Sequence, residues 1–331
     1  MKTLLDVDDL TVEFSTRRGV VKVVDHLSFT VGKGETLSIV GESGCGKSMT
    51  ALAIMGLVPG PDGRIAGGRI LLDGENVANA SERRRRELRG YRLAMIFQEP
   101  MTSLNPLYSV GEQIAESARL HLGLSRRAAW DRAVEMLRSV QIPEPGRRAS
   151  DLPHHLSGGM RQRAMIAMAL VCEPDLIIAD EPTTALDVTV QAQIFELLKD
   201  LTRDKQTSLI LITHDMGAVA EMADRVVVMY AGRKVEQGAV ADVLGAPAHP
   251  YTRGLLACRP RLTAVVAGVR TPLPEIRGMV PPLHELGAGC HFAARCPHAM
   301  PRCRQDTPVA IADRQGHATA CWLLHEERAD V

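Results

Sequence analysis

The chain is poor in aromatic residues, 3% of its 331 positions. That scarcity argues against surfaces on which successive bases stack. No sign of charge dominates either, since 39 Lys and Arg stand against 39 Asp and Glu. A dedicated nucleic-acid binder carries a basic excess, so that class is disfavoured, although local basic patches stay open. No apolar run approaches the roughly 18 residues that span a bilayer. The opening Met1-Lys2-Thr3-Leu4-Leu5-Asp6 turns acidic at once and has no apolar stretch of the kind that directs secretion. The expectation is a cytoplasmic protein that reaches a membrane only through partners. What is present is an apolar fraction of 45%, enough for the core of one large or two modest domains.

One stretch organises the rest. Gly41-Glu42-Ser43-Gly44-Cys45-Gly46-Lys47-Ser48 fits G-x-x-x-x-G-K-[ST] at every fixed position. Thr36 to Val40 reads as a short buried strand before it, and Met49 to Met55 as a helix after it. Strand, glycine loop and helix are the context in which this motif holds a nucleotide. Backbone N–H groups must crowd a triphosphate, so Gly41, Gly44 and Gly46 keep side chains out of the way, and the helix dipole faces the phosphates. Lys47 is a point charge for the β- and γ-phosphates, and Ser48 is a candidate Mg²⁺ ligand. The predicted ATP contacts are Gly41, Ser43, Gly44, Cys45, Gly46, Lys47, Ser48 and Met49.

Upstream, Leu10 to Phe14 and Leu27 to Val31 read as strands of an antiparallel layer. Phe14 offers a flat partner for adenine, or is an ordinary core aromatic. Downstream, Leu93 to Phe97 reads as a strand that delivers Gln98 at its C-terminal end, where ligands bind in open α/β sheets. Residues 109–150 carry helical periodicity and form an insertion into the α/β core. Leu156-Ser157-Gly158-Gly159 then opens another helix, a second anion-binding nest in the same chain. Asp175 to Pro182 is an apolar strand ending in Asp180 and Glu181. Asp180 suits Mg²⁺, and Glu181 suits a general base that polarises water. Ser208 to Thr213 is a further strand, and it delivers His214 to the same edge as Lys47, Gln98 and Glu181. Val226 to Tyr230 and Lys234 to Gly238 read as a closing hairpin.

Four of the seven cysteines, Cys290, Cys296, Cys303 and Cys321, crowd the last fifth of the chain. In a cytosolic setting such a cluster suggests metal before disulfides. The four thiolates suit structural Zn²⁺ or an iron–sulfur cluster, although the spacing lacks the close C-x₂-C pairs of most zinc sites. His291, His298 and His317 are alternative ligands, with exposed loop histidines the favoured reading. Pro272, Pro274, Pro281 and Pro282 suggest a stiff, extended linker before the cysteines.

The stretches Gly41–Ser48, Gln98, Leu156–Gly159, Leu176–Glu181, Ala185–Asp187 and His214, in that order, resemble the ATP-binding subunits of ABC transporters. They match the family's Walker A, Q-loop, signature, Walker B, D-loop and switch histidine. Gln98–Pro106, Asp187–Ile194, His249–Leu256 and Gly289–Pro297 resemble the oligopeptide/dipeptide (and nickel) importer branch, and Met160 resembles the first of its two ATPase subunits. The resemblance implies an α/β phosphate-loop (RecA-like) core with an antiparallel β layer and a helical signature subdomain at about 99–163. Together these make a nucleotide-binding domain of residues 1–245, and a small Cys-rich C-terminal extension spans 246–331. It implies an ATPase with Glu181, His214 and Gln98 in catalysis and with Ser48, Gln98 and Asp180 on Mg²⁺. It also implies a head-to-tail dimer with a second ATPase chain, in which Ser157, Gly158, Gly159 and Asp187 serve the partner's ATP. Two permease subunits and an extracytoplasmic solute-binding protein would complete a peptide importer, with this chain on the cytoplasmic face of the membrane. For Cys290, Cys296, Cys303 and Cys321 it implies a [4Fe–4S] cluster, with Zn²⁺ the alternative. Nickel or another solute is a second candidate cargo. A soluble ABC ATPase acting on nucleic acid or ribosomes is a remote third reading, disfavoured by the single signature and the balanced charge.

Overall fold

The computed structural model describes residues 2–99, 103–184, 186–258, 275–313 and 316–327. In chain order its strands are β1 (Thr3–Thr16), β2 (Gly19–Gly32), β3 (Thr36–Val40), β4 (Gly63–Leu72), β5 (Glu75–Asn76), β6 (Leu93–Ile96), β7 (Leu176–Asp180), β8 (Ser208–Ile212), β9 (Arg225–Tyr230), β10 (Arg233–Ala239), β11 (Ile311–Ala312) and β12 (Ala318–Thr319). Its α-helices are α1 (Lys47–Ile54), α2 (Glu82–Leu88), α3 (Val110–Leu122), α4 (Arg126–Ser139), α5 (Pro145–Arg148), α6 (Gly158–Leu170), α7 (Val188–Lys205), α8 (Met216–Met222), α9 (Val240–Gly245), α10 (Pro250–Ala257), α11 (Pro301–Gln305) and α12 (Trp322–Glu327).

The strands form two sheets. An antiparallel layer has the order β2-β1-β4-β5, and the larger sheet runs β11-β12-β10-β9-β3-β8-β7-β6. From β9 to β6 the pairings are parallel. These strands read as unbroken apolar runs because both of their faces are covered. With a side-chain period of two, alternate residues enter different cores. Leu176, Ile178, Ile210 and Ile212 pack beneath the antiparallel layer with α1, whereas Ile177, Ala179, Leu209 and Leu211 pack under α3, α4, α6 and α7. Pairings of Ile39 and Asp180 with Ile212, and of Ile96 with Ala179, leave β3, β6, β7 and β8 ending nearly level. Everything the sequence assigns to nucleotide chemistry on these strands therefore leaves the sheet at one edge.

The helices start where side chains can accept the first free N–H groups. Ser109, Ser125, Ser157 and Asp187 cap α3, α4, α6 and α7, each accepting from the backbone N–H three residues on. Gly123 in the left-handed region (φ 65°) ends α3.

The β9–β10 hairpin does not close the sheet, contrary to expectation. β12, from far along the chain, pairs antiparallel with β10 through Glu236–Thr319 and Gln237–Ala318. A third core then joins the C-terminal extension to β9, built on the packed rings of Tyr230, Tyr251 and Phe292, whose centroids lie 4.8–5.3 Å apart. Pro272 and Pro274 of the expected linker lie outside the described residues.

Candidate nucleotide site

The loop between β3 and α1 is shaped by its glycines in two different ways. A Cβ on Gly41 (φ 153°) would fall 2.2 Å from the Met229 carbonyl oxygen, and one on Gly46 (φ 102°) would fall 2.6 Å from that of Val23. Gly44 (φ 78°) has nothing within 4 Å of that position, so only its backbone conformation requires glycine. Lys47 is buried, and its Nζ donates to the carbonyls of Gly41 and Glu42 at 2.7 and 3.0 Å. The Cys45 thiol is buried, which pushes its pKa up, and any nucleotide contact from Cys45 is left to its backbone. A cavity of about 200 Å³ opens over the loop, lined by Ser43, Gly44, Gly46, Lys47, Ser48 and Met49 together with Val23, Gln98 and Glu181. Phe14 is not among these residues. Its ring is half-buried, packed against the core beneath the antiparallel layer.

Behind the cavity the end of β7 supplies the carboxylates. Asp180 is buried, and desolvation pushes its pKa up, opposed by a hydrogen bond from Ser48. Its Oδ1 is buried without a hydrogen-bond partner. An unpaired buried carboxylate oxygen next to a serine hydroxyl is the donor chemistry of a hard divalent cation, so Ser48 and Asp180 fit Mg²⁺. At Glu181 the chain turns through φ 45°, a left-handed conformation that costs a non-glycine residue about 1 kcal/mol or more. The Glu181 N–H donates to the Ile212 carbonyl at 2.9 Å, which fixes the turn to β8. The carboxylate accepts from Gln98 Nε2 at 3.2 Å and from Thr184 Oγ1 at 3.0 Å, and His214 Nδ1 lies 3.4 Å from its Oε1. A second cavity, of about 160 Å³, is lined by Glu181, Thr183, Thr184, Gln191, Thr213, His214 and Asp215. Glu181 lines both cavities, so its carboxylate can face a phosphate on one side and a water on the other. Sequence reading missed Thr184, although its place three residues after Glu181 was a usable signal.

The second glycine nest stands apart. Ser157 accepts from the Met160 N–H at 3.3 Å, and Asp187 accepts from the Val190 N–H at 3.0 Å. The two caps belong to neighbouring elements. A Cβ on Gly158 would lie 3.9 Å from Leu186 Cδ2, and one on Gly159 would lie 3.1 Å from Val190 Cγ1. Ser157, Gly158, Gly159 and Asp187 line neither cavity. Ala185 lies outside the described residues.

Comparison with known proteins places this arrangement. Residues 24–184 match the family described as ABC transporter, and residues 235–303 match the family described as oligopeptide/dipeptide transporter, C-terminal region. The chain is 51% identical to the oligopeptide transport ATP-binding protein OppD of Salmonella typhimurium over 98% of this chain and 95% of that one. It is 48% identical to the dipeptide transport ATP-binding protein DppD of Bacillus subtilis over 100% and 97%. The chain belongs to the ATP-binding proteins of peptide ABC transporters. A solved ABC cassette, a dimer in a post-hydrolysis state bound to ADP and Pi, shares its fold with a TM-score of 0.65 and 25% identity, over 72% of this chain and 99% of that one. The chain is thus an ATP-hydrolysing ABC cassette.

The extension of this ABC ATPase brings Cys290, Cys296, Cys303 and Cys321 around one small cavity, with His249, His298, Phe292 and Trp322 also in its wall. The four are free thiols. Burial pushes Cys290 up to about 11 and raises Cys296 and Cys321 as well. Among the described residues no group of three or more His, Cys, Asp or Glu side chains is arranged to hold a metal ion. The reading of His291 and His317 as exposed loop histidines is corrected. His291 Nδ1 pairs with the Ala231 carbonyl at 2.8 Å, and His317 Nε2 with the fully buried Glu236 carboxylate at 2.7 Å. Among the described residues no helix is long and apolar enough to cross a membrane.

Proposed function

We propose that the chain is the ATP-hydrolysing motor of a peptide importer, acting on the cytoplasmic face of the membrane. The observation that carries the reading is the Glu181 carboxylate, shared between the phosphate-loop cavity and the His214 cavity. ATP would lie with its terminal phosphates against Lys47 and the N-terminus of α1. Glu181 takes the proton of a water that His214 helps to orient, the water oxygen attacks the γ-phosphorus in line, and ADP leaves with the bond electrons. Lys47 offsets the charge on the equatorial oxygens. Ser48, Asp180 and Gln98 would hold Mg²⁺, which would supply offsetting positive charge to the phosphates. Ser157, Gly158, Gly159 and Asp187 line neither of these two cavities, and in this reading they serve the ATP of a second ATPase chain in a head-to-tail dimer. The dimeric state of the related solved cassette, bound to ADP and Pi, supports a dimer. The relatives' names and the match of the C-terminal region support a peptide cargo, delivered by an extracytoplasmic binding protein to two permease subunits.

The Glu181→Gln chain is expected to bind ATP and dimerise with it, while multiple-turnover hydrolysis falls by roughly 10²-fold or more. Retained turnover by the homogeneous variant removes Glu181 as base.

For the extension we propose a [4Fe–4S] cluster on Cys290, Cys296, Cys303 and Cys321, with Zn²⁺ the alternative. What supports the proposal is an all-thiol donor set around one small cavity, which suits an iron–sulfur centre or Zn²⁺. Such a centre supplies a cross-link between distant parts of the extension. Anaerobic purification with iron, sulfide and zinc assays should give iron and sulfide in equal amounts. Stoichiometric zinc without iron replaces the cluster with the alternative, and absence of all three overturns both.

A further inference from the structure

Among the described residues, the hydrogen bonds from the C-terminal extension to the phosphate loop all fall on Glu42. Arg295 Nη1 and Nη2 donate to the two carboxylate oxygens of Glu42 at 2.6 and 3.0 Å. The Arg295 side chain is 5% exposed and that of Glu42 28%, so the guanidinium is buried while the carboxylate keeps partial access to water. Glu42 is the second residue of the loop, and its carbonyl receives Lys47 Nζ. A further hydrogen bond falls on the same residue, where the Glu42 backbone N–H donates to the Tyr251 hydroxyl at 2.8 Å. Both gripping groups are themselves fixed. Arg295 also donates to the carbonyls of Ile276, Arg277 and Gly278, and Tyr251 is fully buried.

A carboxylate in a loop that receives a triphosphate works against its ligand, because like charges repel at short range. A bidentate guanidinium cancels that charge and fixes the direction of the carboxylate. The Glu42 carboxylate in turn holds the Arg295 guanidinium above its ordinary pKa.

We infer that Arg295 is a positioning residue for nucleotide binding, acting through Glu42, and that the extension thereby sets the phosphate loop's affinity. The inference rests on the nucleotide-site reading above. It makes a charge argument that can be separated from simple docking of the extension. The native pair sums to zero. Arg295→Ala leaves one negative charge at the loop, Glu42→Gln leaves one positive charge, and the double variant returns to zero.

The test is calorimetric binding of Mg·ADP to the full-length chain, with iron and sulfide content and a thermal melt recorded for each variant, and KM and kcat for ATP alongside. Arg295→Ala is expected to bind about tenfold more weakly. Its KM for ATP should rise by a similar factor, with kcat at saturation nearly unchanged. Glu42→Gln should bind as tightly as the native chain or more tightly. The double variant should return to within about threefold of native, and Arg295→Lys should fall between native and Arg295→Ala. Native-like binding by Arg295→Ala overturns the inference. So does a double variant as weak as Arg295→Ala, because Arg295 would then serve only to dock the extension. If Arg295→Ala does not fold, Glu42→Gln decides alone, and weakened binding there overturns the inference. Failure of the native chain to bind any adenine nucleotide would instead sink the nucleotide-site reading itself.

Discussion

The loop before α1 and the loop before α6 both set glycines at a helix start, yet those glycines answer to different neighbours. Gly41 and Gly46 are pressed against backbone carbonyls of Met229 and Val23, so the chain's own fold demands them. Gly158 meets only the Leu186 side chain, at ordinary contact distance, and sits at the first position of α6 with no positive φ. The first loop also has its own lysine and faces the carboxylates of β7. The second has a serine already engaged in capping its helix. Nothing in its own chain requires glycine at position 158, which leaves room there for the second-subunit role proposed above.

The comparison can be broken at three points. Gly41→Ala forces a Cβ against a carbonyl in a backbone region that L-residues avoid, and should lower unfolding free energy by roughly 3 kcal/mol or more, read from denaturant curves. A loss under about 1 kcal/mol would mean that this loop is as permissive as the other. Ser157→Ala removes a helix cap and should cost about 1 kcal/mol, visible as a small drop in melting temperature, with Mg·ADP binding by the isolated chain unchanged. Gly158→Ala should cost nothing or add a few tenths of a kcal/mol, since alanine favours helix. Hydrolysis by the assembled dimer should nonetheless fall at least about tenfold, because the Cβ would stand where the other subunit's nucleotide approaches. Unchanged hydrolysis by that dimer would end the reading of Gly158 as a partner's ligand.

The parts of this molecule legible in sequence are those written in local pattern. β3, β7 and β8 are short apolar runs between polar boundaries, and burial on both faces is what makes them continuous. Ser157 and Asp187 announce helix starts because a cap is a property of neighbouring residues. Gln98, Glu181 and His214 were legible as strand-end residues, and parallel register explains why they meet. The illegible parts depend on contacts across long separations. β12 is two residues long and pairs with β10 some eighty positions away, a link without periodicity to reveal it. His317 and His291 looked like loop histidines because their partners, Glu236 and Ala231, are equally remote. Glu42 passed as a variable position of the loop motif, since Arg295 lies over two hundred and fifty residues further on. Phe14, read as a partner for adenine or an ordinary core aromatic, is half-buried against the core beneath the antiparallel layer and does not line the cavity over the phosphate loop.

The short pairing of β12 with β10 also decides how the larger sheet meets its surroundings. A seven-residue outer strand, with a row of unsatisfied N–H and C=O groups, invites strands from other chains to add on. Here β12 lies along part of β10, and β11 outside it presents a border only two residues long. So brief a border gives an arriving strand little to pair with. These few residues also act as a guard against sticking together along the wrong side.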